Sequence, residues 1–196
     1  MTIKQLNATY LIHEDRILLR FNTAEQAEYR LWLTRRVALF ILAASSHLLA
    51  KQLEHQHSVA AVKAIQQFEN EAVSDALKTS ADSTQNYQSG TQFPLGFDPL
   101  LVLDVTCALM KNGEKISLQD SHDLADCDDA LSIDFVLPGG ANLNLKLTGN
   151  MLRATCALLD QLRHQAGWGD ATLSIKKNDE SESFSAERSS QKVSLH

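Results

Sequence analysis

From Ala24 to Ser89 the chain has no glycine and no proline, so nothing in that stretch forces the backbone to turn or a helix to stop. Its centre is unusually apolar, Val37-Ala38-Leu39-Phe40-Ile41-Leu42-Ala43-Ala44, and Thr34 just ahead of it is an acceptable helix N-cap. A core helix is therefore expected from about residue 35. Val62, Ile65, Phe68, Ala72 and Ala76 recur at helical spacing opposite Lys63, Gln66, Glu69 and Asn70, which predicts a second, amphipathic helix. The polar stretch Glu54–His57 places a turn between the two. The alternative, one unbroken helix of about 44 residues and roughly 66 Å, would need a coiled-coil-like partner.

Three strands are expected ahead of the helix. Leu6, Ala8, Tyr10 and Ile12 alternate with Asn7, Thr9, Leu11 and His13. Ile17, Leu19 and Phe21 alternate with Arg16, Leu18 and Arg20, and Tyr29, Leu31 and Leu33 with Arg30 and Trp32. This is the period of two of half-buried strands. The simplest turns, two residues at Glu14-Asp15 and three at Ala24–Gln26, set Leu11 beside Leu18, Thr9 beside Arg20, Leu18 beside Trp32 and Arg20 beside Arg30. The outward face then carries an apolar row, Leu11–Leu18–Trp32, next to Arg20 and Arg30. Like charges directly opposite are unfavourable, and a bare apolar row is unusual on a solvent face. Something is expected to cover this surface. Arg35 and Arg36 add to it: they occupy the first helical turn, where the dipole favours negative charge, and a rule broken locally marks them as an anion-binding candidate.

The stretch 79–97, rich in Ser, Thr, Gln and Asn, reads as a flexible linker or loop. Leu100–Met110 is a long strand, and Asn112-Gly113 is the strongest hairpin signal in the chain, returning it through Lys115–Gln119. After an acidic loop, Asp120–Asp129, Leu131–Leu137 and Asn142–Leu147 form a hairpin turned by Pro138-Gly139-Gly140. Thr148 is read as the cap of a helix to about Ala166, and the residues beyond Gly169 as a mobile polar tail. The expected organisation is an N-terminal β-β-β-α-α lobe (1–78), the linker, a C-terminal β-β-β-β-α lobe (98–169) and the tail (170–196).

A shift of 114 residues places Ile17, Leu19 and Phe21 on Leu131, Ile133 and Phe135, and Leu31, Leu33 and Thr34 on Leu145, Leu147 and Thr148. The expected fold class is therefore α+β, with two related hairpin–helix units whose helices pack on antiparallel sheets. Their outward positions differ: Arg20, Arg30 and Trp32 correspond to Asp134, Asn144 and Lys146. The arginine and tryptophan surface belongs to the first unit alone.

At 44% hydrophobic and 21% charged, the chain has the balance of a soluble globular protein. The apolar run in 37–50 is interrupted by Ser45, Ser46 and His47, too short for a bilayer span, and Met1–Asn7 lacks a signal-peptide pattern. Three cysteines, Cys107, Cys127 and Cys156, without regular spacing point to a reducing compartment, the cytoplasm. The net charge of −6 is unevenly spread. Residues 1–57 carry seven Lys/Arg against five Asp/Glu, 58–170 seven against fifteen, and 171–196 four against four.

Arginines beside an aromatic on a sheet suit a single-stranded nucleic acid, with phosphates on the arginines and bases on the ring. Antiparallel sheets followed by a helix, occurring twice, resemble the layout of Whirly-type single-strand binders, a likeness of layout that rests on no shared motif. The bland reading is that the same face meets a second subunit or another helix. Net acidity and the lack of lysine clusters favour the bland one. Asp120, His122, Asp123 and Asp126 could hold a divalent cation, but their spacing fits no EF-hand, zinc or two-metal template. Cys127, among carboxylates, is a poor nucleophile. His47, His55 and His57 do not share a helical face and read as parts of a polar turn. No nucleophile elbow or phosphate loop is present, and no cofactor is implied. The leading expectation is a non-enzymatic interaction or assembly protein, a homo-oligomer with a dimer favoured, using Leu11, Leu18, Arg20, Arg30 and Trp32. Single-stranded nucleic-acid binding on the same face and a metal-dependent enzyme at the acidic loop are the alternatives.

Overall fold

The computed structural model describes residues 2–54, 57–80, 87–116, 128–170 and 184–185. It is an α+β protein. Strands β1 (Ile3–Leu11), β2 (Arg16–Thr23) and β3 (Glu28–Thr34) are followed by helices α1 (Arg35–Glu54) and α2 (Val59–Ser80). Then come β4 (Leu100–Leu101), β5 (Asp104–Lys111), β6 (Glu114–Lys115), β7 (Asp128–Val136), β8 (Asn142–Thr148), helix α3 (Gly149–Gln165) and β9 (Phe184–Ser185). The first sheet has the order β1-β2-β3-β4, with β4 parallel to β3; the second runs β6-β5-β7-β8, with β9 also pairing β5. Residues 35–80 thus form two helices rather than one rod.

The β2–β3 turn follows the sequence pattern. Thr23 donates to Ala27 O at 2.9 Å and Gln26 takes φ 61°, closing three residues and pairing Leu18 with Trp32 and Arg20 with Arg30. The β1–β2 turn does not. Leu11 pairs with Arg16, Thr9 with Leu18 and Asn7 with Arg20, a register two residues away from the expected one. The favoured two-residue turns need positive φ at one or both positions and want Asn-Gly or a leading glycine. Glu14-Asp15 has no glycine, so the chain uses the four residues Ile12–Asp15, with Glu14 donating to Leu11 O and only Asp15 left-handed, at φ 46°. Leu11 consequently leaves the Leu18–Trp32 row, and Ile12 sits at the tip, 72% exposed.

Thr34 caps α1 as its position suggests, its Oγ1 accepting from the Val37 amide at 3.4 Å. Thr148 does not cap α3 with its side chain; the helix opens instead on Gly149 at φ 46°. At the other end Gly167 (φ 64°) donates to His164 O and Trp168 to Arg163 O, the paired bonds of a Schellman motif. This turn sends Trp168 into the core.

One core serves both halves. Ile17, Leu19, Phe21, Leu31 and Leu33 cluster with Val105, Leu109, Leu131, Ile133, Phe135, Leu145 and Leu147, joined by α1, α3 and Trp168. α1 packs against β2, β3 and β5, and α3 against β1, β7 and β8. By length and composition α1 is apolar enough to cross a bilayer, yet Val37, Ala38, Ile41, Leu42, Ala44 and Leu48 are buried in this core. α2 is less embedded than its pattern implies: Val62 is buried, whereas Phe68 is 73% exposed.

Candidate interaction face

The outward face of the first sheet is what the two registers make of β1, β2 and β3. Its successive cross-strand rows are Gln5–Asn22–Glu28, Asn7–Arg20–Arg30, Thr9–Leu18–Trp32 and Leu11–Arg16–Thr34. β4 adds Leu101 beside Trp32. The arginine pair and the apolar row are therefore adjacent, and they are treated differently.

The arginines are covered by the chain itself. Of the expected linker, Thr79 and Ser80 belong to the end of α2, and residues 87–97 run along the edge of β3 as a strap. Gln92 forms a parallel bridge with Ala27, the Glu28 amide donates to Gln92 O at 2.8 Å, and Thr91 N–H donates to Gln26 O at 2.9 Å. Asn22 Nδ2 donates to Gln88 O at 2.6 Å, and Gln88 N–H returns a bond to Gln5 Oε1 at 3.0 Å. Arg20 lies over the Tyr87 ring, 4.8 Å from its centroid, and donates to Asn7 Oδ1. Arg30 contacts both the Phe93 and Phe97 rings, at 4.8 and 4.2 Å, and donates to Phe97 O.

Glu28 resolves the like-charge problem. It is 1% exposed, accepts from Arg30 Nε at 2.7 Å, and accepts from the Gly90 amide on its other oxygen at 2.6 Å. A buried carboxylate needs such partners. Gly90 is required by this approach: a Cβ there would lie 2.5 Å from Gln26 O and 2.9 Å from Glu28 Cβ. Burial, then the charge of Glu28, push the Tyr87 phenol up to about 12, against the opposing pull of Arg20 and Arg30.

The apolar row stays part-exposed. Leu18, Trp32 and Leu101 are all intermediate in burial. Beyond Leu101 the strip continues through Leu103, 46% exposed, whose amide donates to Val136 O. Arg36 caps this end, donating to Leu103 O at 2.7 Å and lying 3.6 Å from Asp104. Arg35 is exposed near Asp15. The two helix-start arginines thus serve contacts within the chain, Arg36 through a bond and Arg35 through its charge.

The candidate residues Asp120, His122, Asp123 and Asp126, like Cys127 and His55, lie outside the described residues. Among the described residues no group of three or more His, Cys, Asp or Glu is placed to hold a metal. Cys107 and Cys156 are free thiols, and burial raises both pKa values. In the second sheet the positions matching Arg20 and Arg30 carry Asp134 and Asn144, which bond one another at 2.6 Å, and Lys115 pairs with Asp134.

Sequence reasoning missed the strap, Glu28 and Trp168. The signals were available: Glu28 stands two residues before Arg30 on the same strand face, and Tyr87, Phe93 and Phe97 are the aromatics of an otherwise polar stretch. No family model, curated protein or solved structure shows a significant match to this chain.

Proposed function

We propose that this chain is a non-enzymatic assembly protein that pairs with a second copy of itself through the strip Leu18–Trp32–Leu101–Leu103. The observation that carries the reading is that the strap covers the arginine row and leaves the neighbouring apolar row part-exposed. Apolar strips of this kind mark interaction sites. The strip's surroundings carry both signs, Arg16 in the adjoining row and the Arg36–Asp104 pair at the far end. A mixed rim is self-complementary across a two-fold axis, where each copy offers the same patch.

Two further readings go with it. The hairpin–helix units are related by duplication: β2–β3 and β7–β8 share one register under the 114-residue shift, Leu18↔Trp32 matching Ser132↔Lys146, and α1 and α3 begin at equivalent positions. The free thiols of Cys107 and Cys156 suit a cytoplasmic setting.

Sedimentation velocity of the full chain tests the assembly reading. The wild type is expected to be dimeric at micromolar concentration, and Trp32→Lys and Leu101→Lys to be folded monomers. A wild type that stays monomeric at the highest soluble concentration overturns it.

A further inference from the structure

We infer that the strap 87–97 is a displaceable cover over a latent surface for single-stranded nucleic acid. The case begins with how the strap is held. None of its eleven residues is buried, and Phe97 is 63% exposed even while stacked on Arg30. It is held by hydrogen bonds to the backbone of residues 26–28 and to the side chains of Gln5, Asn22, Gln26 and Glu28, by ring contacts to two arginines, and by Leu95, half-buried against the core. With Leu95 as its one aliphatic anchor and that only half-buried, the segment has few buried apolar contacts, and such segments open at low free-energy cost. The fit is also incomplete: among the described residues Arg20 Nε and Tyr87 Oη are both enclosed without a hydrogen-bond partner, and each such group weakens the closed arrangement.

The chemistry of the covered surface identifies its ligand. Lifting the strap would present Arg16, Arg20 and Arg30 with Trp32 on one sheet face, with Glu28 as the single acid of those four rows. The strap already shows what binds there: planar rings lie over the arginines, and carbonyl oxygens of Gln88 and Phe97 accept from Asn22 and Arg30. A single-stranded nucleic acid offers the same two features, flat bases and acceptor oxygens, and its phosphates add charge that three arginines against one carboxylate can attract. The strap is in this sense an internal competitor. The surface shares Trp32 with the Leu18–Trp32–Leu101 strip but takes its charge from the arginine rows, so its test rests on Arg20 and Arg30 and not on self-association.

Two variants of the full chain remove the cover by different routes. Gly90→Ala introduces the clash with Gln26 and Glu28. A Tyr87→Ser/Phe93→Ser/Phe97→Ser triple variant removes the rings, none of them buried, and decides the matter if the first variant fails to fold. Hydrogen exchange at Glu28, Thr91 and Gln92 reports whether the strap has lifted. Fluorescence anisotropy of a labelled oligothymidylate reports binding. Binding about tenfold or more tighter than wild type at low salt is expected. It should weaken as salt is raised and be lost when Arg20→Ala and Arg30→Ala are added. Unchanged binding with the strap amides exchanging freely overturns the inference, as does continued protection of those amides in both variants. Equal affinity for polyphosphate would show charge alone and overturn the recognition of bases.

Discussion

Trp168 donates its indole N–H to Asp15 Oδ1 at 2.9 Å, joining the first hairpin turn to the end of the last helix across 153 positions of sequence. Tyr10 Oη donates to the same oxygen at 2.9 Å, and its ring meets Trp168 edge to face at 5.6 Å. The left-handed turn residue is thereby fixed by both ends of the chain. Trp168→Ala should cost about 3–5 kcal/mol in urea unfolding, the range for deleting a large buried ring. Trp168→Phe should cost less, and a negligible loss in both variants would show that the clasp is not structural.

The clasp has a pH signature. Hydrogen bonds from Trp168 and then Tyr10, with the charge of Arg35, hold the Asp15 carboxyl below its ordinary 3.8. A folded value below the unfolded one means that the contribution is complete above the ordinary value and is lost as pH falls through the lowered one. Stability of Asp15→Asn should therefore fall less steeply than wild type as pH is lowered below 3.8, measured as urea midpoints. Parallel slopes for the two proteins would remove Asp15 from the acid response.

Glu28 is the keystone between sheet and strap. Glu28→Gln leaves the Arg30 guanidinium without its buried counter-charge, and breaking such a pair by removing one partner costs about 3 kcal/mol. The double variant Glu28→Gln/Arg30→Met should recover part of that loss, because the stranded charge is gone. Additive losses in the cycle would show that the two side chains act independently.

Tyr87 gives the strap an alkaline limit. Its raised value, about 12 against 10.0, means that the strap contact is complete below pH 10 and is lost as pH rises from there towards 12. Amide exchange at Thr91 and Gln92, corrected for its intrinsic pH dependence, should accelerate over that interval in wild type and not in Tyr87→Phe. The same acceleration in both would place its cause elsewhere.

Because one core takes residues from both halves, the protein should unfold in a single transition. Phe21→Ala and Phe135→Ala, each removing a fully buried ring, should each lower the whole transition by about 3–5 kcal/mol. Circular dichroism and tryptophan fluorescence should trace coincident curves. Two resolved steps would mean that the lobes are independent.

Much of the fold was legible because it depends on local rules. The period-two pattern placed β2 and β3 with their correct pairing, since the three-residue turn at Ala24–Gln26 needs only local geometry. The β1–β2 register was only half legible: the missing glycine at Glu14-Asp15 argues against a two-residue turn, but the bond from Trp168 that holds Asp15 in the longer one is not a local signal. A cover was expected over the whole outward face; the strap lies over Arg20 and Arg30 and leaves Leu18 and Trp32 part-exposed. What covers it could not be read, since composition marks 79–97 as polar and says nothing of Gly90 meeting Glu28. Phe68 misled for the converse reason: helical spacing gives a face but not a neighbour to bury it.

The placement of Trp168 also bears on the order of events during synthesis. The ribosome delivers the apolar helix α1 and the first three strands long before α3 and the tryptophan that closes over the Asp15 turn. Early apolar segments must therefore wait for late ones, with their surfaces open to chaperones or to one another. A nascent chain halted before β7 would hold an N-terminal half whose core lacks the partners that β7, β8 and α3 supply.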